Sequence, residues 1–112
     1  MTVLDTARAW ADVDPHPGDR AEIEALIEAE NLEELSRRFS GPLTFGTAGL
    51  RGPVRAGPAG MNAAVVSRAA AGLARYLTES GHAGQGVVIG YDARHRSDEF
   101  AHVSAAVLAG AG

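Results

Sequence analysis

The sequence has no cysteine and no lysine, and aromatic residues fill only 5% of its 112 positions. Without cysteine there are no disulfides and no thiolate metal sites, which fits a reducing compartment, so a cytoplasmic location is expected. Without lysine, all ten basic side chains are arginines, scattered along a chain of formal charge −4. No basic stripe exists to displace counterions from a nucleic-acid backbone, so nucleic acid is not an expected partner. No apolar run approaches the roughly 20 residues of a membrane span. Met1 to Ala11 lacks the basic start and continuous apolar stretch of a secretory signal. No membrane partner is expected either. A chain of this length suits one small domain, burying about 65% of its unfolded surface.

Residues 3–39 carry helical patterning, broken by Asp14-Pro15-His16-Pro17-Gly18, which cannot continue a helix and offers several turn residues in succession. Asp19 with Glu22 has capping-box spacing ahead of an apolar face of Ile23, Leu26 and Ile27. Asn31 with Glu34 repeats the device before Leu32 and Leu35. This acidic helical leader, residues 1–40, is expected to pack on the domain that follows or on a neighbouring one. Trp10 and, further on, Tyr76 read as packing anchors.

Gly41-Pro42 ends that pattern, and residues 41–112 read as strand, loop, helix, strand, loop, helix. Leu43-Thr44-Phe45 is the first expected strand. A long connection through Pro53, Gly57, Pro58 and Gly60 follows, of a length that is usually functional. A helix is expected from about Asn62 to Ser80, with Val66, Ala69, Ala70, Leu73 and Leu77 on its apolar face, Asn62 as N-cap and Gly81 as stop. Val87-Val88-Ile89-Gly90-Tyr91 reads as a buried strand. Ser97 is the expected cap of a last helix with Asp98 and Glu99 in its first turn and Phe100, Val103, Val107 and Leu108 inward. The fold class is α/β, the beginning of a right-handed unit of parallel strands joined across helices. Two parallel strands do not form an independently stable sheet. The chain is therefore expected to be the N-terminal part of something longer, with the remainder of its own polypeptide as a partner.

Phe45-Gly46-Thr47-Ala48-Gly49-Leu50-Arg51-Gly52 packs three glycines, a hydroxyl and an arginine into one bend. Glycine permits positive φ and close approach of a ligand to the backbone, and successive N–H groups of such a loop can converge on an anion. Thr47 adds a neutral donor, and Arg51 a planar, permanently charged fork that matches two phosphate oxygens. The alternatives are a structural bend, a hydroxyl that only caps a turn, and a surface arginine paired with a nearby carboxylate. In an open α/β sheet ligands gather beyond the carboxyl ends of the strands, where this loop and Asp92-Ala93-Arg94 are both expected to face one cleft. Asp92 and Arg94 more readily brace each other and nearby backbone than touch a ligand. His95 has no identifiable partner as a general base. His16, His82 and His102 show no metal-ligand spacing and read as solvated.

The glycine string resembles the F-G-T-A-G-L-R-G signature of the α-D-phosphohexomutases, the phosphoglucomutase and phosphomannomutase family. The flanks agree in order and spacing: Trp10-Ala11-Asp12-Val13-Asp14-Pro15 and Glu34-Leu35-Ser36-Arg37-Arg38-Phe39 upstream, then Gly60-Met61-Asn62, Gly72-Leu73-Ala74-Arg75-Tyr76-Leu77 and Val88-Ile89-Gly90-Tyr91-Asp92-Ala93-Arg94. The resemblance covers nearly the whole chain and implies a three-layer α/β/α domain I, incomplete here. It implies that Arg51 and Thr47, with Gly46 and Gly49, hold phosphate, and that Asp92-x-Arg94 supports the site.

The same resemblance implies an isomerase that passes a phosphoryl group from a phosphoserine to a hexose phosphate. The resulting 1,6-bisphosphate then returns its other phosphoryl to the serine. A glucose 1,6-bisphosphate-type activator and Mg2+ would serve the full-length enzyme. The family's phosphoserine segment T-A-S-H-N-P, its metal loop D-G-D-x-D-R, its sugar-recognition G-E-x-S and its late phosphate clamp do not occur in this chain. No catalytic or metal-ligating residue is therefore assigned, and the chain alone is expected to be inactive. Two other readings stay open: a non-catalytic module that binds phosphate or sugar phosphate, and a structural remnant.

Overall fold

The computed structural model describes residues 2–47 and 49–112. These residues form helices α1 (Val3–Val13), α2 (Pro17–Glu28) and α3 (Leu32–Arg38), strands β1 (Phe45–Gly46) and β2 (Gly49–Leu50), and helices α4 (Ala63–Glu79) and α5 (Ser97–Gly110). The chain divides into two compact units, Met1–Val65 and Val66–Gly112.

In the first unit the helical leader forms as the patterning predicts, with caps that differ in detail. Thr2 and Asp5 close a capping box on α1. The second helix opens at Pro17, not after Gly18. Proline is preorganised for the first helical position and its missing N–H costs nothing there. Its cap is His16, whose Nδ1 accepts from the Asp19 amide at 3.0 Å, so His16 is a structural residue and the expected Asp19 capping box is absent. Asn31 does cap α3, accepting from the Glu34 amide. Ile23 and Leu35, both fully buried, meet Ala7 and Ala11 of α1. Trp10 closes this core edge-on against Phe39, ring centroids 6.1 Å apart, while its Nε1 donates to Asp14. Burying a side chain the size of Ile23 contributes about 2–3 kcal/mol. Ala56, from the connection beyond the glycine string, is also fully buried in this core, so the leader packs directly on the segment that follows it.

The first expected strand is displaced: Leu43 and Thr44 are irregular, and Phe45–Gly46 turns back to pair antiparallel with Gly49–Leu50. In the second unit α4 ends as expected at Gly81, whose φ is +80. The His82 amide reaches Leu77 O and the Gly81 amide reaches Thr78 O, the closure a left-handed residue makes possible. Val66, Ala70 and Ala74 form a buried stripe on α4, while Leu73 and Tyr76 stand exposed, contrary to their expected packing roles. The last helix begins at Ser97 itself, after Arg96 in a left-handed conformation with no side-chain cap. The Ser97 hydroxyl accepts instead from the Asp92 amide.

The largest departure is Val87–Tyr91, which forms no strand and lies at the surface, Val88 being 98% exposed. A parallel strand needs hydrogen-bonded neighbours on its edges and cover on both faces. Among the described residues no other strand pairs with it. The strand–helix–strand–helix order thus has its helices in place, with a short hairpin where the first strand was expected.

Candidate functional site

The glycine string is a hairpin held at both ends. Phe45 pairs with Leu50 and Gly46 with Gly49, so the chain reverses between Gly46 and Gly49; Ala48 lies outside the described residues. Thr47 sits exposed in the turn, and Arg51, also exposed, leaves the hairpin directly after β2. Gly49 has φ +86, an angle that L side chains adopt only under strain. A Cβ on Gly46 or Gly49 would meet no atom within 4 Å, so packing does not demand glycine at either position. Gly52 is different: a Cβ there would lie 2.7 Å from Leu43 Cδ1, so the exit of the hairpin is pressed on its entry.

The chain is then tied down immediately beyond Arg51. Pro53 O accepts from the Met61 amide at 2.7 Å, and Val54 bridges Met61 in parallel. Gly60 is required by contact, since a Cβ would fall 2.5 Å from Arg55 O. Gly57 is required by both angle and contact, with φ +101 and its would-be Cβ 2.9 Å from Arg38 O. Asn62, fully buried, caps α4 by accepting from the Val65 amide at 3.0 Å. Its Nδ2 also donates to Arg55 O and Gly57 O, each at 2.8 Å. One side chain therefore satisfies the helix start and two carbonyls of the preceding loop, a multiple use that its expected role as N-cap did not include.

From the opposite side, α2 and α3 grip the same loop through a charge network. Glu22 Oε2 accepts from the Ala56 amide at 2.8 Å and from Arg38 Nη1. Arg38 Nη1 reaches Ala56 O as well, its Nε donates to Glu34 at 2.8 Å, and its own carbonyl accepts from the Ala59 amide at 3.1 Å. Burial pulls the Arg38 guanidinium down, but its bonds to Glu34 and Glu22 outweigh that and hold it above its ordinary value. The bonds from Arg38 and then Arg37 hold the Glu34 carboxyl below the usual carboxylate range. Nothing in the sequence joins Glu22 to Arg38, which lie on different helices. The only signal was indirect, in glycines at 57 and 60 that a free loop does not need.

Asp92 and Arg94 are brought together in the second unit. The Asp92 carboxylate accepts from the Arg94 amide at 3.1 Å and from its Nε at 2.7 Å. The guanidinium beside it, followed by the backbone bond, lowers the Asp92 carboxyl, and Asp92 in turn raises Arg94. Both side chains remain largely exposed. His95, His82 and His102 are exposed. Among the described residues no three His, Asp or Glu side chains lie together as a metal site would require. These residues therefore do not fit the magnesium that the resemblance implies. No described helix is long and apolar enough to cross a membrane.

A model of the phosphoglucomutase/phosphomannomutase α/β/α domain I matches residues 42–112. The chain belongs to the phosphoglucomutase/phosphomannomutase family. Its relatives within the phosphomutases include a probable phosphoribomutase of Schizosaccharomyces pombe, 41% identical over 101 residues and 88% of this chain. The phosphoribomutase of Saccharomyces cerevisiae is 38% identical over 93% of it, and a phosphoglucomutase of Staphylococcus epidermidis 40% identical over 89%. The chain spans about 17% of the length of each of these phosphomutases. No solved structure matches it. The domain model starts at residue 42, whereas the phosphomutase relatives also align with much of the leader, so the helices that hold Ala56 and Ala59 lie outside the domain model.

Proposed function

We propose that this chain supplies the phosphate-gripping loop of domain I in a phosphomutase. Such an isomerase interconverts hexose 1- and 6-phosphates through a phosphoserine and a bisphosphorylated intermediate. The observation that carries this reading is the hairpin with Thr47 at its turn and Arg51 directly behind β2, immobilised by Gly52 on Leu43 and by Met61 on Pro53. A guanidinium carried on backbone held in that way is presented close to where charge develops on transferring phosphoryl oxygens. In this reading Gly46 and Gly49 let the phosphate approach the backbone, Thr47 donates to it, and the Asp92–Arg94 pair braces the second loop.

Residues 41–112 open a three-layer α/β/α domain, and 87–91 is the stretch that neighbouring strands would order. The phosphoserine segment does not occur in the 112 residues, so the chain by itself is inactive. In the complete enzyme the chemistry would lie with parts supplied elsewhere, Mg2+ and a sugar-bisphosphate activator included. The phosphoribomutase relatives, as similar as the phosphoglucomutase, favour a second reading of the substrate as a pentose phosphate.

In the complete enzyme, Arg51→Ala is expected to lower kcat/KM by about 100-fold or more, the effect of removing one preorganised electrostatic contact. Arg51→Lys should recover only part, because an ammonium keeps the charge and loses the fork. Unchanged kinetics in the alanine variant would remove Arg51 from the site. Saturable binding of glucose 1,6-bisphosphate by a complete protein with no turnover would favour the non-catalytic module instead.

A further inference from the structure

We infer that Glu22 and Arg38 are positioning residues for Arg51, gripping the connection directly behind the phosphate loop from the leader helices of the same compact unit. This rests on the proposed function and adds to it a control exerted by the leader. Glu22 Oε2 takes the Ala56 amide while Arg38 Nη1 takes the Ala56 carbonyl, so one residue of the loop is held at both of its backbone polar groups. The two side chains are also bonded to each other, and Glu34 fixes the far side of the Arg38 fork. The Arg38 carbonyl receives the Ala59 amide and sits where a side chain at Gly57 would fall.

From this clamped stretch the path to Arg51 is short and stiff. Residues 55–61 fold back so that Met61 holds Pro53, and Pro53 follows Arg51 by two residues with Gly52 lodged on Leu43 between them. Five loop amides and carbonyls that would otherwise face desolvation are satisfied by the helices or by Asn62. Leaving such groups unpaired costs more than the net worth of the bonds. Releasing the clamp should therefore reshape the loop, and the angle at which Arg51 leaves β2 should change with it.

The test is a double-substitution cycle on the complete protein, using glucose 1,6-bisphosphate as the probe and Glu22→Gln, Arg38→Lys and Arg51→Ala as variants. E22Q keeps the shape of the side chain and loses its charge; R38K keeps the charge and loses the fork that reaches three partners. Each is expected to weaken binding about tenfold, the equivalent of one charge-assisted bond. Each should also speed hydrogen exchange at the Ala56 and Ala59 amides. The readout that a merely structural role would not move is the coupling: E22Q/R51A should bind no more weakly than R51A alone, because Glu22 acts through Arg51.

If E22Q fails to fold, R38K carries the same cycle. Weakened binding by R51A beside unaltered binding by E22Q and R38K would overturn the clamp and leave the site. Fully additive losses would also overturn the clamp. Equal affinity of wild type and R51A would end the reading of the site itself, and the inference with it.

Discussion

The unit up to Val65 and the unit from Val66 onward each combine helices with a glycine-containing connection, yet they bury their apolar residues very differently. The first encloses Ile23, Leu35 and Ala56 completely and binds its loop with buried or half-buried polar groups. The second buries only Val66, Ala70 and Ala74 among its described residues, and leaves its most apolar run, Val87 to Ile89, at the surface. The difference teaches which contacts can close locally. Three short helices and a returning loop find their partners within a few tens of residues. A parallel strand must wait for neighbours delivered by distant crossovers.

The sharpest way to break that comparison is a truncation in the core of the first unit. Ile23→Ala removes a side chain with 0% exposure, surrounded by Ala7, Ala11 and Leu35. A loss of about 2–5 kcal/mol is expected, because the removed contacts and the residual cavity both contribute. Denaturant titration followed by the fluorescence of Trp10, which borders the same core, measures it. A loss below about 1 kcal/mol would mean that the first unit is no better packed in solution than the second.

A smaller effect sharpens the electrostatic side of the comparison. Glu34 has its carboxyl lowered from the ordinary value of 4.5, chiefly by its bonds to Arg38 and Arg37. A depressed folded-state pKa means that the unfolded chain binds the proton more readily. The resulting stabilisation is complete above about 4.5 and is lost as the pH falls through the lower folded value. Denaturation midpoints of the Trp10 transition should therefore drop with acidification in that window. Glu34→Gln should flatten the slope there while leaving the curve above about pH 6 parallel to that of wild type. An identical slope in the variant would show that the bonds of Glu34 to Arg38 and Arg37 carry no folding free energy.

How much of this was legible follows the same division. The leader helices, the caps at Asn31 and Asn62 and the stop at Gly81 could be read because each depends on spacing of three or four residues. His16 was passed over because histidine is an unusual N-cap and its neighbours Pro15 and Pro17 signalled only a turn. The glycine string announced its bend, but not that Gly46 and Gly49 would pair across it. The grip of Glu22 and Arg38 on Ala56 could not be read at all, since it depends on the docking of α2 and α3 over a loop 34 residues from Glu22 and 18 from Arg38. The segment 87–91 was misread for the opposite reason. Its composition is that of a strand, and composition cannot state whether the partners are present.

The smallest expected effect tests that last point. Val88 is 98% exposed, so Val88→Ala should change the stability of the chain by less than about 0.5 kcal/mol, as surface substitutions do. A valine in a buried strand would instead contribute about 1.5–3 kcal/mol. The two outcomes are far enough apart for an ordinary denaturation curve monitored by helical circular dichroism, which reports α4 and α5 as well as the leader. A loss above about 1.5 kcal/mol would place Val88 inside a core, and the contrast between the units would then vanish. A near-neutral result, set beside the large cost at Ile23, would locate the free energy of this chain in the unit that holds the glycine string and the three leader helices.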